Sequence, residues 1–314
     1  ATCVQTVNVS DDQAPEITCP ADQNEVFDAA CAFTLLDYTS LVTATDNSDP
    51  VLTVIQSPAD GTVVTADTVV TMSVTDSNGN TSTCTFTVLI TDIELPTITC
   101  AANVAVDTDG GSCFATVVLS NPTTADNCSV ASVTNNAPAT YPIGTTTVTW
   151  TVTDAAGNTA TCDQTVTVAD NEIPTITCAA NVTANMDASS CFATVALTNP
   201  TTNDNCSVAS VTNNAPATYP IGTTTVTWTV TDAAGNTATC SQDITVTDDE
   251  APSITCAANQ TQTADAGNCS AAVTVVMPAT ADNCGIATVL NNYNGGADAT
   301  DVYPVGTTTV VWTV

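Results

Sequence analysis

Apolar and polar residues alternate with a period of two along most of the chain. In residues 145–153, Val148, Trp150 and Val152 fall on one face and threonines fall on the other. This alternation is typical of a half-buried antiparallel strand, because successive side chains of a strand point to opposite faces. Residues 154–158, Asp-Ala-Ala-Gly-Asn, then supply the glycine and asparagine that a tight hairpin needs.

The same pattern recurs at a fixed step. Residues 127–162 are identical to residues 205–240, a displacement of 78 residues. Several short strands per repeat, punctuated by Gly, Pro and Asn and without a helical stretch, predict a β-sandwich. We therefore divide the chain into residues 1–14, the end of a preceding repeat, and repeats 1 to 4 at residues 15–95, 96–173, 174–251 and 252–314. No signal peptide is visible, so we expect a fragment with a truncated last repeat.

The composition limits what the chain can bind. It has 314 residues with no Lys, Arg or His against 32 Asp and Glu, a formal net charge of -32. Each carboxylate must therefore be solvated, hydrogen-bonded or bound to a cation from outside. Such a surface repels phosphate backbones, which excludes nucleic acid as a partner. No apolar run approaches the ~20 residues of a spanning helix, so we expect no membrane span.

Four motifs of repeat 2 occur in a fixed order. They are residues 92–100 (Asp-Ile-Glu-Leu-Pro-Thr-Ile-Thr-Cys), 126–128 (Asp-Asn-Cys), 141–148 (Tyr-Pro-Ile-Gly-Thr-Thr-Thr-Val) and 153–162 (Thr-Asp-Ala-Ala-Gly-Asn-Thr-Ala-Thr-Cys). This order resembles the hyalin repeat (HYR) domain, which implies an immunoglobulin-like fold used in extracellular adhesion. The tandem four-cysteine form is similar to large secreted surface proteins of Bacteroidota, including gliding-motility adhesins. A marine invertebrate matrix protein is the alternative source.

These observations predict an all-β fold class. Tandem immunoglobulin-like β-sandwich repeats of about 78 residues would form an extended rod. The 15 cysteines indicate an oxidising compartment, so we predict a secreted protein at the cell surface or in the extracellular space.

The four cysteines of a full repeat allow three pairings. Family members with two cysteines keep the first and the last, so the resemblance implies Cys100 with Cys162 and leaves Cys113 with Cys128. The same assignment predicts disulfides at Cys19, Cys84, Cys178, Cys240, Cys191, Cys206, Cys269 and Cys284. A loop of about 60 residues closed in this way stabilises a repeat by roughly 4 kcal/mol.

Repeat 1 departs from the cysteine pattern. It has Ser48 where repeat 2 has Cys128, so Cys31 lacks its usual partner. Its thiol could be free, bonded to another chain, or unpaired and buried, and we favour the last. We expect Cys3 and Cys256 to pair with residues outside the fragment.

Acidic side chains converge at one end of each predicted sandwich. In this topology the N-terminus, the loop between the second and third strands and the last hairpin lie at the same end. Their carboxylate and amide oxygens suit Ca²⁺ better than Mg²⁺ or Zn²⁺. The predicted ligands are Asp11, Asp46 and Asp76; Asp92, Glu94, Asp126, Asn127, Asp154 and Asn158; Asp170, Glu172, Asp204, Asn205, Asp232 and Asn236; and Asp248, Glu250 and Asp282. The alternative is that these side chains form turns by accepting bonds from local N–H groups.

The chain lacks the groups that common enzymes use. A Ser or Cys nucleophile needs a base, and no His or Lys is present. The predicted function is a non-enzymatic extracellular stalk or filament segment of a repetitive cell-surface adhesin, stiffened by disulfides and by calcium at the junctions. Its first partners are the neighbouring repeats of the same chain. Two alternatives stay open: a module that binds surface glycans or a protein by avidity, and a filament subunit that self-associates through an edge strand or Cys31.

Overall fold

The computed structural model describes residues 1–314 without a gap. They divide into two compact units. Unit 1 comprises Ala1–Asp109 and Phe114–Ala169, and unit 2 comprises Gly110–Cys113 and Asp170–Val314. Both units are built from strands and turns, with one short 3-10 turn at Thr39–Leu41. The structure contains no helix with the length and hydropathy needed to cross a membrane.

Unit 1 holds two consecutive repeats. The strands of repeat 1 are β1 (Glu16–Thr18), β2 (Gln23–Val26), β3 (Phe33–Thr34), β4 (Thr43–Thr45), β5 (Thr53–Ser57), β6 (Val63–Val64), β7 (Thr68–Thr75) and β8 (Thr81–Thr91). The strands of repeat 2 are β9 (Thr97–Thr99), β10 (Val104–Asp107), β11 (Phe114–Ala115), β12 (Thr123–Ala125), β13 (Val130–Asn135), β14 (Tyr141–Pro142), β15 (Gly144–Asp154) and β16 (Thr159–Ala169). In each repeat the last two strands form the hairpin that the alternation predicts.

The main sheet of each repeat in unit 1 has four strands. Its order is β2-β8-β7-β5 in repeat 1 and β10-β16-β15-β13 in repeat 2. The first strand runs parallel to the last, with Val104 opposite Val166, and the other pairs are antiparallel. Short ladders form the opposite layer, because Ala115 and Tyr141 of β11 and β14 pack in one core with Val148 of β15.

Unit 2 repeats this arrangement once in full. Repeat 3 has β17 (Thr175–Thr177), β18 (Val182–Asn185), β19 (Phe192–Ala193), β20 (Thr201–Asn203), β21 (Val208–Asn213), β22 (Tyr219–Pro220), β23 (Gly222–Asp232) and β24 (Thr237–Thr247). Repeat 4 has β25 (Ser253–Thr255), β26 (Ser270–Val273), β27 (Ala279–Ala281), β28 (Leu290–Asn291), β29 (Asp301–Pro304) and β30 (Trp312–Thr313). The four-stranded sheet of repeat 3 has the order β18-β24-β23-β21, and repeat 4 has three two-stranded ladders.

The core of each complete repeat follows from the alternation. Val148, Trp150 and Val152 are buried, while the threonines between them are only half-buried. Full burial of each such apolar side chain contributes about 1.5–3 kcal/mol, which drives the two layers together. The predicted all-β class and the immunoglobulin-like sandwich are confirmed.

One disulfide closes each complete repeat. It joins Cys19 to Cys84, Cys100 to Cys162 and Cys178 to Cys240, each with a Cα–Cα distance of 5.8 Å. The bond ties the segment after the first strand to the last strand, across the core.

The remaining disulfides join different repeats, which corrects the sequence assignment. Cys128 is bonded to Cys31 of the preceding repeat, and not to Cys113. Cys113 is bonded to Cys206, and Cys191 to Cys284. The prediction that Cys31 is unpaired was wrong, and so was the pairing of Cys269 with Cys284, because Cys269 is a free, exposed thiol. Cys3 and Cys256 are also free and exposed.

The parallel pairing of β2 with β8 explains the bond between repeats 1 and 2. The Phe27 N–H donates to the Thr91 carbonyl at 3.1 Å, so the turn after β2 lies beside the end of β8, where repeat 2 begins. The Asn127 side chain donates to the Asp28 carbonyl of that turn at 3.1 Å. Cys31 and Cys128 therefore approach to a Cα–Cα distance of 4.8 Å. Within one repeat, the cysteine of this turn and the Asp-Asn-Cys loop lie at opposite ends, so the two cysteines of the same repeat do not pair.

Candidate cation site

Three aspartates from three separate elements meet where repeat 1 passes into repeat 2. Asp92 follows β8, Asp126 follows β12 and Asp154 ends β15. Their carboxylate oxygens lie within 4.8 Å of one another. Two further groups have the same geometry, and we call all three the acidic triads: Asp11, Asp46 and Asp76; Asp92, Asp126 and Asp154; and Asp170, Asp204 and Asp232.

Asp154 is the buried member of its triad, with 2% of its surface exposed. Its Oδ1 accepts hydrogen bonds from the N–H groups of Gly157 at 2.6 Å and Asn158 at 2.8 Å, inside the hairpin. Its Oδ2 accepts one from the Asn158 side chain at 2.8 Å. Gly157 has φ = 98°, a left-handed conformation that favours glycine, and this conformation lets the turn fold around the carboxylate.

These hydrogen bonds keep the Asp154 carboxyl ionised. Burial alone raises its pKa, but the donors from Asn158, Gly157 and Ala156 outweigh burial, and the pKa is held below the ordinary value. Asp76 and Asp232 show the same balance in their own hairpins. The deepest carboxylate of each triad therefore carries its negative charge near neutral pH.

The other two carboxylates of the repeat 2 triad are only partly satisfied. Asp126 Oδ2 accepts bonds from the N–H groups of Cys128 at 3.0 Å and Ser129 at 2.9 Å, and Asp92 Oδ1 accepts one from Glu94 at 3.1 Å. Asp126 Oδ1 and Asp92 Oδ2 are buried and have no hydrogen-bond partner. The Asn127 Oδ1 atom is also buried without a partner. One oxygen of each carboxylate thus accepts hydrogen bonds from the backbone of a turn, and the other oxygen is free to bind a ligand.

The same partial satisfaction occurs in the other two triads. Asp46 Oδ2 and Asp204 Oδ1 are buried without a hydrogen-bond partner. The Asp204 Oδ2 atom accepts bonds from the N–H groups of Cys206 and Ser207 at 3.0 and 2.8 Å, as its counterpart Asp126 does. The available oxygen is therefore a property of the motif and not of one repeat.

The predicted asparagines act as hydrogen-bond donors in these sites. The Asn158 amide donates to Asp154 and also to the Asp92 carbonyl at 3.1 Å, which ties the hairpin to the linker. Asn236 makes the matching bonds to Asp232 and Asp170 in unit 2. The Asn205 amide donates to the Ser112 carbonyl at 3.0 Å.

Five predicted acidic residues stay outside the triads. The Glu94 side chain is exposed, and the Glu172 carboxylate accepts a hydrogen bond from the Gly111 N–H at 2.9 Å. Asp248, Glu250 and Asp282 are not members of any of the three triads.

A buried polar residue that we did not predict supports the core beside the closing disulfide. Gln164 is 1% exposed, accepts a bond from the Trp150 indole N–H at 3.1 Å and donates to the Ala102 carbonyl at 2.7 Å. Its position two residues after Cys162, on the apolar face of β16, was the available signal. A glutamine on that face needs buried partners.

The triads offer only hard oxygen ligands to an ion. Each combines three carboxylates, and repeat 2 adds the free amide oxygen of Asn127. No thiolate or imidazole belongs to any triad. This donor set fits a hard cation such as Ca²⁺ better than a softer metal.

The chain is similar in sequence to two curated proteins named Hyalin. The chain is 31% identical over 240 residues to Hyalin of Strongylocentrotus purpuratus, covering 73% of this chain and 20% of that protein. It is 30% identical over 288 residues to Hyalin of Lytechinus variegatus, covering 86% of this chain and 54% of that protein. The chain thus spans about half or less of the length of these relatives. Among solved structures, mouse Cadherin-23 EC22-24 matches with 13% identity and a TM-score of 0.34, covering 76% of this chain and 100% of that chain.

The family model of the HYR domain matches four consecutive segments, residues 10–90, 91–168, 169–246 and 247–314. Together they span the chain from residue 10 to its last residue. The chain therefore belongs to the HYR domain family.

Proposed function

We propose that this chain is a non-enzymatic segment of an extracellular adhesive stalk, and that its acidic triads bind Ca²⁺. The observation that carries the proposal is a buried carboxylate oxygen without a hydrogen-bond partner in each triad region, as at Asp46, Asp126 and Asp204. The chain has no cationic side chain that could neutralise these groups.

Three carboxylates within 4.8 Å repel one another unless they share a proton or a cation. Sharing a proton is disfavoured at the deepest member, since the hydrogen bonds to Asp154 hold its pKa low. A water molecule would satisfy an unpaired oxygen but would leave the charge in place. A divalent cation satisfies both the oxygens and the charge, and this favours metal over protonation.

The remaining features support a structural role outside the cell. Six disulfides require an oxidising compartment to form and persist. The triads recur with the repeat instead of lining one cleft, which fits architecture better than catalysis. The chain is similar in sequence to relatives named Hyalin, and its own four segments match the HYR domain model. The narrower resemblance to Bacteroidota gliding adhesins stays a prediction.

Calcium titration of the whole chain tests the proposal. We expect isothermal titration calorimetry to count three ions per chain, one for each triad, and thermal unfolding to move upward with calcium. At a free calcium concentration of 100 times Kd, each site adds about 2.7 kcal/mol of stability. The absence of both a binding heat and a shift in Tm between calcium and chelator would refute the calcium site.

A matched pair of variants assigns the sites. Asp126→Asn should lower the stoichiometry from three ions to two, because it removes one triad carboxylate. Asp163→Asn removes the same charge from an exposed position of β16 in the same repeat and should leave the count at three. Equal effects of the two variants would indicate general charge screening instead of a site.

A further inference from the structure

A side-chain oxygen fixes the start of the second strand in each complete repeat. Asp22, Asn103 and Asn181 directly precede β2, β10 and β18. The Oδ1 atom of each accepts a hydrogen bond from a backbone N–H of the last strand of its repeat: Thr87 at 2.7 Å, Thr165 at 3.0 Å and Asp243 at 3.0 Å. The fold therefore uses one acceptor oxygen at this position.

The side-chain nitrogen of Asn181 is not needed for this contact. Asp22 has no amide nitrogen, yet it accepts the same hydrogen bond in repeat 1 that Asn181 accepts in repeat 3. The Asn181 side chain is also exposed. A group attached to its Nδ2 atom therefore meets solvent and leaves the hydrogen bond to Oδ1 in place.

Asn181 begins the sequence Asn-Val-Thr, which is a sequon for N-linked glycosylation. A sequon has the form Asn-x-Ser/Thr, where x is not proline. Val182 and Thr183 are the first residues of β18, and Thr183 is exposed like Asn181. Residues two apart in an extended segment face the same side, so the acceptor amide and the threonine hydroxyl are open together. β18 is an edge strand of its sheet, which leaves room for a bulky group.

The other three sequons of repeats 1 to 3 begin at Asn80, Asn127 and Asn205, and their side-chain nitrogens hold turns together. These nitrogens donate to Asp76 Oδ2 at 2.7 Å, the Asp28 carbonyl at 3.1 Å and the Ser112 carbonyl at 3.0 Å, respectively. All three asparagines are half-buried. A sugar on any of these nitrogens would replace one of its two hydrogens and crowd the turn. The folded chain therefore disfavours a glycan at these positions.

We propose that Asn181 carries an N-linked glycan and that the other three sequons of repeats 1 to 3 stay unmodified in the folded chain. The inference rests on the proposed extracellular location but not on the calcium sites. The donor is an oligosaccharide carried on a polyprenyl diphosphate. A bond forms between Asn181 Nδ2 and the anomeric carbon of the first sugar, and the bond from that carbon to the diphosphate oxygen breaks. The polyprenyl diphosphate leaves with the electron pair, and Nδ2 loses one proton.

Repeat 2 provides an internal control for this site. Asn103 is exposed, and its Oδ1 atom accepts the same hydrogen bond as that of Asn181. Repeat 2 has Ala105 where repeat 3 has Thr183, so Asn103 does not begin a sequon. The two positions share a local structure and differ in the hydroxyl residue that a sequon requires. A glycan is therefore expected at Asn181 and not at Asn103.

The test uses the whole chain, secreted from animal cells behind a secretion signal. Trypsin has no site in a chain without Lys or Arg, but cleavage after Glu and Asp releases residues 173–187, which contain one sequon. Mass spectrometry before and after treatment with peptide-N-glycosidase should show a glycan on Asn181 and none on the sequons of Asn80, Asn127 and Asn205. A secreted chain with its six disulfides but no glycan on Asn181 would overturn the inference and leave the extracellular role intact. A glycan on any of the other three sequons would also overturn it.

Three variants assign the glycan to its sequon. Asn181→Asp removes the acceptor nitrogen and keeps the acceptor oxygen, as Asp22 does in repeat 1. Thr183→Ala keeps the asparagine and removes the hydroxyl. Each should lower the intact mass of the secreted chain by one glycan. Ala105→Thr is the matched gain of function and should add one glycan, on Asn103. An unchanged mass in either of the first two variants, or no added glycan in the third, would overturn the proposal.

Discussion

Repeats 1 and 2 share one sheet order but fill it differently. The register places Met72 of β7 where β15 has Trp150, and Phe86 of β8 where β16 has Gln164. All four side chains are buried. In repeat 1 the centre of the core is therefore apolar, and in repeat 2 it is an indole bonded to an amide.

The two repeats use different side chains to donate a hydrogen bond to the same backbone carbonyl. Gln164 donates to the Ala102 carbonyl in repeat 2. Phe86 has no donor, and in repeat 1 the Gln23 side chain donates to the corresponding Ala21 carbonyl at 2.7 Å. Phe86 instead packs edge-on against Tyr38, with ring centroids 5.3 Å apart. The fold thus tolerates different interiors when volume and hydrogen bonds are both matched.

The two repeats also differ at their acidic ends. Repeat 2 has Cys128 after Asp-Asn, and this cysteine is bonded to Cys31 of repeat 1. Repeat 1 has Ser48 at the same place, and its hydroxyl hydrogen-bonds to the triad carboxylates of Asp11 and Asp46. A covalent link to the preceding segment is replaced by polar contacts inside the triad.

The largest predicted effect is at the core of repeat 2. Trp150→Ala should destabilise this repeat by about 5 kcal/mol, since a buried Trp→Ala change costs ~3–5 kcal/mol and the Gln164 oxygen also loses its donor. Met72→Ala in repeat 1 orphans no polar atom and should cost less, about 3 kcal/mol. Hydrogen exchange of the β15 and β7 amides measures each repeat separately. Thr147→Ala, at an exposed site of β15, is the control, and equal losses for Trp150→Ala and Met72→Ala would contradict the comparison.

The next effect concerns the bond between the two repeats. The double variant Cys31→Ser with Cys128→Ser should lower the stability of the pair by about 2–4 kcal/mol, because it removes a closed loop from the unfolded chain. Differential scanning calorimetry of the oxidised chain measures the loss. Cys269→Ser removes a free, exposed thiol and should have no effect. An unchanged transition in the double variant would mean that the linker and the Asn127 contact alone hold the repeats together.

The sequence predicted the β-sandwich and the convergence of acidic residues but not the pairing between repeats. Alternation around Val148 and the Gly157 hairpin are local signals, and each fixes a strand or a turn without distant contacts. The pairing of Cys31 with Cys128 depends on the parallel alignment of β2 with β8, which no local pattern reports. The signal was nevertheless present, because repeat 1 keeps Cys31 although it has Ser48 where a partner within the repeat was predicted. The unpaired oxygen of Asp126 likewise depends on which N–H groups its turn supplies.

A smaller effect tests the polar core directly. Gln164→Leu should cost about 1–3 kcal/mol, because it leaves the buried Trp150 N–H without an acceptor and removes the hydrogen bond to the Ala102 carbonyl. The double variant Trp150→Met with Gln164→Phe gives repeat 2 the side chains that repeat 1 has at these positions. It should recover part of the stability lost in Gln164→Leu. Urea unfolding followed by circular dichroism compares the variants. A double variant less stable than Gln164→Leu would show that the surrounding residues, such as Tyr38 in repeat 1, are also required.

The smallest predicted effect is at Ser48. Its hydroxyl bonds to Asp11 and Asp46, but the turn is held mainly by the backbone N–H groups of Ser48 and Asp49, which donate to Asp46 at 2.9 Å each. These two N–H groups are the first causes of the lowered pKa of Asp46, and they remain in Ser48→Ala. The variant should therefore lose about 1 kcal/mol or less and shift Tm by no more than about 4 °C. A shift as large as that of the Cys31 and Cys128 double variant would mean that the hydroxyl holds repeat 1 as firmly as the disulfide holds repeat 2.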